Sequence, residues 1–123
     1  MIDYGYLKPN NQNTLQSVMR HKKNNLLKNL GKADITAHVN FALLSEFFSK
    51  NNLKIKNIIT QKQFLQEMGI LERADIIAKK MKFREQSDLY LRIKRLLGAN
   101  YMGNLFKVIL AYKFKNNKFV GFK

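Results

Sequence analysis

Hydrophobic positions recur along this chain with a spacing that changes from place to place, and the changes divide it into elements. The opening Met1-Ile2-Asp3-Tyr4-Gly5-Tyr6 is apolar and then meets Asp and Gly, as at the C-terminal end of a strand leaving a sheet. Met1-Ile2 alone would be only a stub of that strand. Polar residues 7–13, with the only proline at Pro9, predict a loop. From Thr14 to Leu30, the residues Leu15, Val18, Met19, Leu26, Leu27 and Leu30 fall at a loose helical spacing that Gly31 would end. Asn40 is placed to cap a helix, because its side-chain oxygen can accept from the free amides of the next turn, and Phe41, Leu44, Phe47 and Phe48 follow on one face. After Asn51-Asn52 the run Leu53, Ile55, Ile58 and Ile59 predicts a strand, one that would lie beside the opening stub.

Thr60-Gln61-Lys62-Gln63 fits a capping box, and Phe64, Leu65 and Met68 give the helix it starts an apolar face before a left-handed stop at Gly69. Leu71, Ala74, Ile77 and Met81 continue as a second amphipathic helix. Ser87 is placed to cap a third, with Leu89, Ile93, Leu96 and Leu97 on one face and Gly98 at its end. In the tail the period becomes two: Phe106, Val108, Leu110, Tyr112 and Phe114 alternate with Lys107, Ile109, Ala111, Lys113 and Lys115, which predicts a strand. A tight turn at Asn116-Asn117 would return the chain through Lys118 to Phe122 as a hairpin. This order of elements predicts an α/β fold, a parallel sheet with an antiparallel edge hairpin and inserted helices, as a doubly wound fold cut in half would give. No repeat and no linker divides residues 1–123, which read as a single partial domain.

Composition narrows the chemistry. At 123 residues with 46% hydrophobic content the chain can build a core. It has no cysteine, which excludes disulfides, thiolate metal sites and thiol nucleophiles, and with no signal-peptide layout and no membrane-length apolar run the expected address is cytoplasmic. The net charge of +15 would attract phosphate backbones or anionic surfaces. Its lysines are spread from Lys22 to Lys123 rather than clustered, as a coding bias toward A and T bases would also produce. A small basic α/β nucleic-acid-binding protein is therefore the alternative reading, which a compact lysine-arginine face in the folded chain would favour.

The six glycines are scattered, with no G-x-G pair and no phosphate-loop pattern to bring backbone amides up to a nucleotide or to S-adenosylmethionine. Two histidines without cysteine or a helical His/carboxylate spacing make no metal site. A histidine such as His38 can take or give a proton near neutral pH, or serve as a structural hydrogen-bonding group.

Six strings carry a resemblance in order and spacing. They are Ile2-Asp3-Tyr4-Gly5-Tyr6, Thr14-Leu15 with Arg20-His21, Asp34-Ile35-Thr36-Ala37-His38-Val39-Asn40-Phe41, Thr60-Gln61 with Phe64-Leu65, Gly69-Ile70, and Met102-Gly103-Asn104-Leu105-Phe106-Lys107-Val108. Together they resemble the MidA family of class I S-adenosylmethionine-dependent methyltransferases, whose mitochondrial members methylate a protein arginine during respiratory complex I assembly. The resemblance implies that the chain is the C-terminal half of a Rossmann-like methyltransferase fold, with the cofactor-binding N-terminal half absent. S-adenosylmethionine would be the cofactor of the intact family, and none is expected for this chain alone. A separately encoded N-terminal half and a protein substrate are the implied partners, with no membrane and no nucleic acid. Two positions depart from the family pattern: Asn40 stands where members have Asp, and Asn13 where they have Gly. Strand ends of open α/β sheets line the working crevice, which makes Asp3, Tyr4 and Gly5, with His38 and Asn40 beside them, the substrate-side candidates. No residue is singled out as forming or breaking bonds.

Overall fold

The computed structural model describes residues 1–8, 13–113, 115 and 118–122. The opening segment is more than a stub: Ile2–Tyr6 forms a full strand, β1. The segment expected to be helical is instead a hairpin of β2 (Gln16–Met19) and β3 (Lys22–Asn24), extended by β4 (Asp34–Thr36) on the other side of β2. The turn decides this. Arg20 and His21 both have positive φ, 52° and 63°, the two-residue geometry whose twist matches antiparallel strands. Leu27 and Leu30, read as part of a helical stripe, are exposed in the loop that follows. Asn24 closes that loop, its amide donating to Ser17 Oγ and to the Asn25 and Lys28 carbonyls.

The short strand β5 (Val39–Asn40) runs directly into helix α1 (Phe41–Lys50). Asn40 caps it as expected, with Oδ1 accepting from the Leu43 amide at 3.1 Å. The predicted strand over 53–59 splits in two, β6 (Lys54–Ile55) and β7 (Ile59–Thr60), and neither half lies beside β1. Thr60 Oγ1 accepts from the Gln63 amide to start α2 (Gln61–Glu67), and Gly69, at φ 76°, makes the left-handed corner into α3 (Ile70–Ala78). Helix α4 (Phe83–Leu97) begins four residues before Ser87, so Ser87 is internal and caps nothing. Glu85 starts it instead, its carboxylate accepting from the Lys82 amide at 2.8 Å.

A one-turn helix, α5 (Met102–Leu105), leads into β8 (Phe106–Val108), and β9 (Ala111–Tyr112) follows after a break. Residues 118–122 carry no strand. Gly121 sits against Phe64 and Met68 of α2, and the Phe122 ring lies 5.5 Å from that of Phe64. Packing on a helix has displaced the expected return arm, while the expected turn at Asn116-Asn117 lies outside the described residues.

The main sheet has the order β5-β1-β8-β7. Strand β1 is parallel to β5 and antiparallel to β8, which is in turn antiparallel to β7. Three strands thus share one direction, and β8 runs against them from between two of them. The fold class is the mixed α/β one expected, but β8 is internal and its continuation β9 pairs with β6. The core lies where helices meet this sheet: Phe41, Val108 and Ile109 are buried, with Ala74, Ala78 and Ile93 between α3 and α4. Gln61, also buried, donates to the Leu96 carbonyl and ties α2 to the end of α4.

Two consequences can be measured. Phe41→Ala removes a fully buried ring and is expected to lower stability by about 3–5 kcal/mol in denaturant unfolding. Tyr90, whose hydroxyl donates to Asp75 at 2.9 Å, has its pKa held above the ordinary 10.0, first by that hydrogen bond. The stabilisation it gives is present below pH 10.0 and lost as pH rises through the raised value. Asp75→Ala is expected to bring the tyrosinate absorbance transition of Tyr90 back down.

Candidate functional site

The parallel pairing of β1 and β5 sets Gly5 opposite Val39 and Tyr6 opposite Asn40. This register brings the C-terminal end of β1 to the start of α1, the position at which open α/β sheets form their crevices. Side chains alternate along β1, so Tyr4 faces one side of the sheet while Asp3 and Gly5 face the other.

On the first side, the Tyr4 ring meets His38 edge-on at 5.5 Å between centroids and Phe106 at 5.4 Å. Both contacts have the T-shaped geometry in which a positive ring edge meets a negative face. His38 is steadied through its backbone, whose N–H donates to Thr14 Oγ1 at 3.1 Å across the root of the three-stranded arm. The arm is therefore fastened to the sheet beside the one histidine that lies in this cluster.

On the second side, a Cβ at Gly5 would lie 2.2 Å from the Val39 carbonyl oxygen and under 3 Å from the Phe41 ring. Only glycine permits β1 and α1 to come this close. Gly5 thus acts through packing. Asn40, although adjacent, spends its side-chain oxygen on the helix cap. Asp3 turns onto its own backbone, Oδ1 accepting from the Tyr4 amide at 2.8 Å. Of the five candidates, Tyr4 and His38 are brought into side-chain contact, Gly5 and Asn40 line the adjoining strand-to-helix turn, and Asp3 stands on the opposite face from Tyr4.

Three further residues belong to this neighbourhood. Thr14 positions His38, Phe106 completes the aromatic cluster, and Lys107 is the cross-strand partner of Asp3. Partial burial pushes the Lys107 ammonium below its ordinary value, while Nζ donates to the Asn104 and Leu105 carbonyls at the end of α5. All three stand in strings that carried the family resemblance. That was the available signal, since nothing in local spacing shows that residues 4, 14, 38 and 106 meet.

At each strand-to-helix turn the capping side chain accepts from one first-turn amide, Leu43 at Asn40 and Gln63 at Thr60, and no glycine stands at either turn. Among the described residues no group of three His, Asp or Glu gathers to hold a metal ion, and no helix is long and apolar enough to cross a membrane.

A family model described as "Putative S-adenosyl-L-methionine-dependent methyltransferase" matches residues 1–59. The chain is 31% identical over 107 residues to the mitochondrial protein arginine methyltransferase NDUFAF7 homolog of Caenorhabditis elegans, and 30% identical over 108 residues to NDUFAF7 of Xenopus tropicalis. These matches support the resemblance to the MidA-family methyltransferases. Each of these matches takes in 87% of the chain but only 25% of the relative, so the chain spans a quarter of their length. The fold agrees. A COG1565 superfamily protein of Burkholderia thailandensis superposes on 98% of the chain with a TM-score of 0.81 at 23% identity, the match taking in 33% of that protein. A superfamily member from the same organism, solved with bound S-adenosyl-homocysteine, gives 0.79 over 98% of this chain and 32% of its own.

The MidA relationship does not favour the nucleic-acid reading. It also overturns the cytoplasmic address, because both curated relatives are mitochondrial proteins. A lack of cysteine excludes disulfides without choosing among reducing compartments.

Gly5→Ala tests the close approach of β1 and α1. The added methyl must displace the Val39 carbonyl or the Phe41 ring, and the expected loss is about 3 kcal/mol, at the upper end for overpacking. Urea unfolding reads it directly, and an unchanged midpoint would show that the two elements can separate freely.

Proposed function

We propose that residues 1–123 are the C-terminal, substrate-side part of an S-adenosylmethionine-dependent protein arginine methyltransferase, inactive alone and completed by a cofactor-binding part outside these residues. The observation that carries this reading is the Tyr4–His38 contact at the C-terminal end of β1, on a chain related to protein arginine methyltransferases. Two features of the surface support a missing neighbour. Among the described residues, Ile2–Tyr4 of β1 pairs with β8 on one side and with no strand on the other. Leu43 and Phe47 on α1 are also more than half exposed. A further strand and its covering segment would satisfy the open backbone groups and bury these side chains.

A cap on one amide of each strand-to-helix turn, with no glycine there to bring the backbone up to a cofactor, supports a cofactor-binding part outside these residues. What they supply is a substrate wall. Tyr4, His38 and Phe106 form a rigid aromatic surface against which an acceptor side chain can be oriented and from which water is excluded. Gly5 and Asn40 fix the turn beside it, while Asp3 presents its carboxylate on the opposite face of the sheet. The cofactor-binding part can belong to a longer chain or be made separately.

Calorimetry on the 123-residue chain is expected to show no S-adenosylmethionine binding, and stoichiometric micromolar binding would contradict the proposal. Adding the N-terminal part of a related full-length methyltransferase is expected to restore binding and arginine methylation. In that complex His38→Ala should lower the methylation rate by about 100-fold, the scale of losing position at a reacting group, while the cofactor affinity stays unchanged.

A further inference from the structure

We propose that Thr14 is a positioning residue for His38: its hydroxyl locks the two-residue hinge between the three-stranded arm and the main sheet, so that the arm sets how the imidazole faces Tyr4. The inference deepens the substrate-wall reading and rests on it only for its consequence in methyl transfer. Its structural part can be measured without any reaction.

His38 stands between two ladders. Strand β4 ends at Thr36 and pairs with β2 in the arm, while β5 begins at Val39 and pairs with β1 in the main sheet. Only Ala37 and His38 lie between them, so a turn of the arm against the sheet has to be absorbed in the backbone angles of these two residues. The direction of the His38 side chain follows those angles.

The register places the lock. Gln16 lies opposite Thr36, Ser17 opposite Ile35 and Val18 opposite Asp34, and continuing this antiparallel ladder by two positions sets Thr14 opposite His38. Beyond the last strand pair it is the Thr14 side chain that takes the His38 N–H, at 3.1 Å and in a part-buried setting, where a hydrogen bond is stronger than in water. Among the described residues β2, β3 and β4 pair only with one another, so this bond carries the arm's order into the segment that enters the main sheet.

The ring has little else to hold it. Among the described residues neither ring nitrogen of His38 has a hydrogen-bond partner, and the ring meets Tyr4 edge-on. A histidine is commonly oriented through a hydrogen bond at one of its ring nitrogens. Here the orientation comes through the backbone, which leaves both nitrogens for a bound group.

NMR of the 123-residue chain reads His38 directly, with His21 at the exposed turn of the arm as an internal control. Thr14→Val keeps the branched shape and removes the acceptor, whereas Thr14→Ser keeps the hydroxyl. The valine variant should shift the His38 ring signals and lose their nuclear Overhauser cross-peak with the Tyr4 ring, leaving the His21 signals in place; the serine variant should retain the cross-peak. In the unaltered chain the His38 amide should be protected from hydrogen exchange. In the complex completed by an N-terminal part, Thr14→Val should lower kcat by about tenfold or more with the cofactor affinity unchanged, and Thr14→Ser should recover it. Thr14→Val combined with His38→Ala should be no slower than His38→Ala alone, because the two residues act as one unit. An unprotected His38 amide, unchanged His38 signals in the valine variant, or a serine variant that behaves as the valine one would overturn the inference. A complex that fails to methylate while the His38 signals respond as expected would uphold the hinge and overturn only the substrate-wall reading.

Discussion

Strand β8 has a partner on each edge, β1 from the beginning of the chain and β7 from its middle, and the rest of the molecule is arranged around that double pairing. Asp3 and Thr60 both lie opposite Lys107 of this one short strand. The Met1 carbonyl accepts from the Ile109 amide, and the Met1 ammonium donates to the Ile109 carbonyl, which prolongs the ladder. Because Val108 and Ile109 are also buried, the antiparallel strand combines ladder hydrogen bonds with the apolar centre of the fold. Its pairing with β1 joins residues about a hundred positions apart and its pairing with β7 residues about fifty apart, so loop-closure entropy opposes both. The helices between β7 and β8 pack on one another and bring the ends of that segment together. Gly103 illustrates how closely they do so, since a Cβ there would lie 2.2 Å from the Leu97 carbonyl.

That central pairing also fixes the chemistry available at the strand ends. With β8 on one side of β1, Phe106 is carried against Tyr4, and with β5 on the other, His38 arrives from the opposite direction. The aromatic cluster is thus assembled from three separate segments, each delivered by a strand. The three-stranded arm adds a fourth through Thr14. Its strands pair with one another, and Ile35 in β4 and Leu15 just before β2 are exposed, so its orientation depends on this root. The curated relatives are longer, and the chain spans a quarter of their length.

The surface has two kinds of exposed apolar area, and they differ in what surrounds them. Leu43 and Phe47 are exposed on α1, which directly follows β5, the edge strand beside β1. Phe83 and Leu91 are exposed on α4, a helix that buries Ile93 in the core. The difference is one of backbone as well as side chains: an open strand edge asks for another strand, while a helix face asks only for side chains that fit it.

The sequence by itself determined the features that depend on neighbours along the chain. Asn40 and Thr60 announce helix starts because a cap uses amides two or three residues away, and Gly69 announces a left-handed corner because the constraint is local. It carried the family resemblance too, since D-I-T-A-H-V-x-F and M-G-x-L-F-K-V keep their order without reference to structure. The same local logic misread Thr14 to Leu30 as helical, because a loose spacing of leucines outweighed a turn whose residues, Arg20 and His21, give little sign of adopting positive φ. It placed a helix cap at Ser87 when Glu85 had already begun the helix, and it drew a return strand over Lys118 to Phe122 that packing on Phe64 replaces. Only the tertiary structure decided that β8 enters between β1 and β7, that Gly5 is required by the Val39 carbonyl and Phe41, and that Tyr4, His38 and Phe106 share one surface. These facts depend on strand order and register, which are set by pairings between distant residues that no local periodicity encodes.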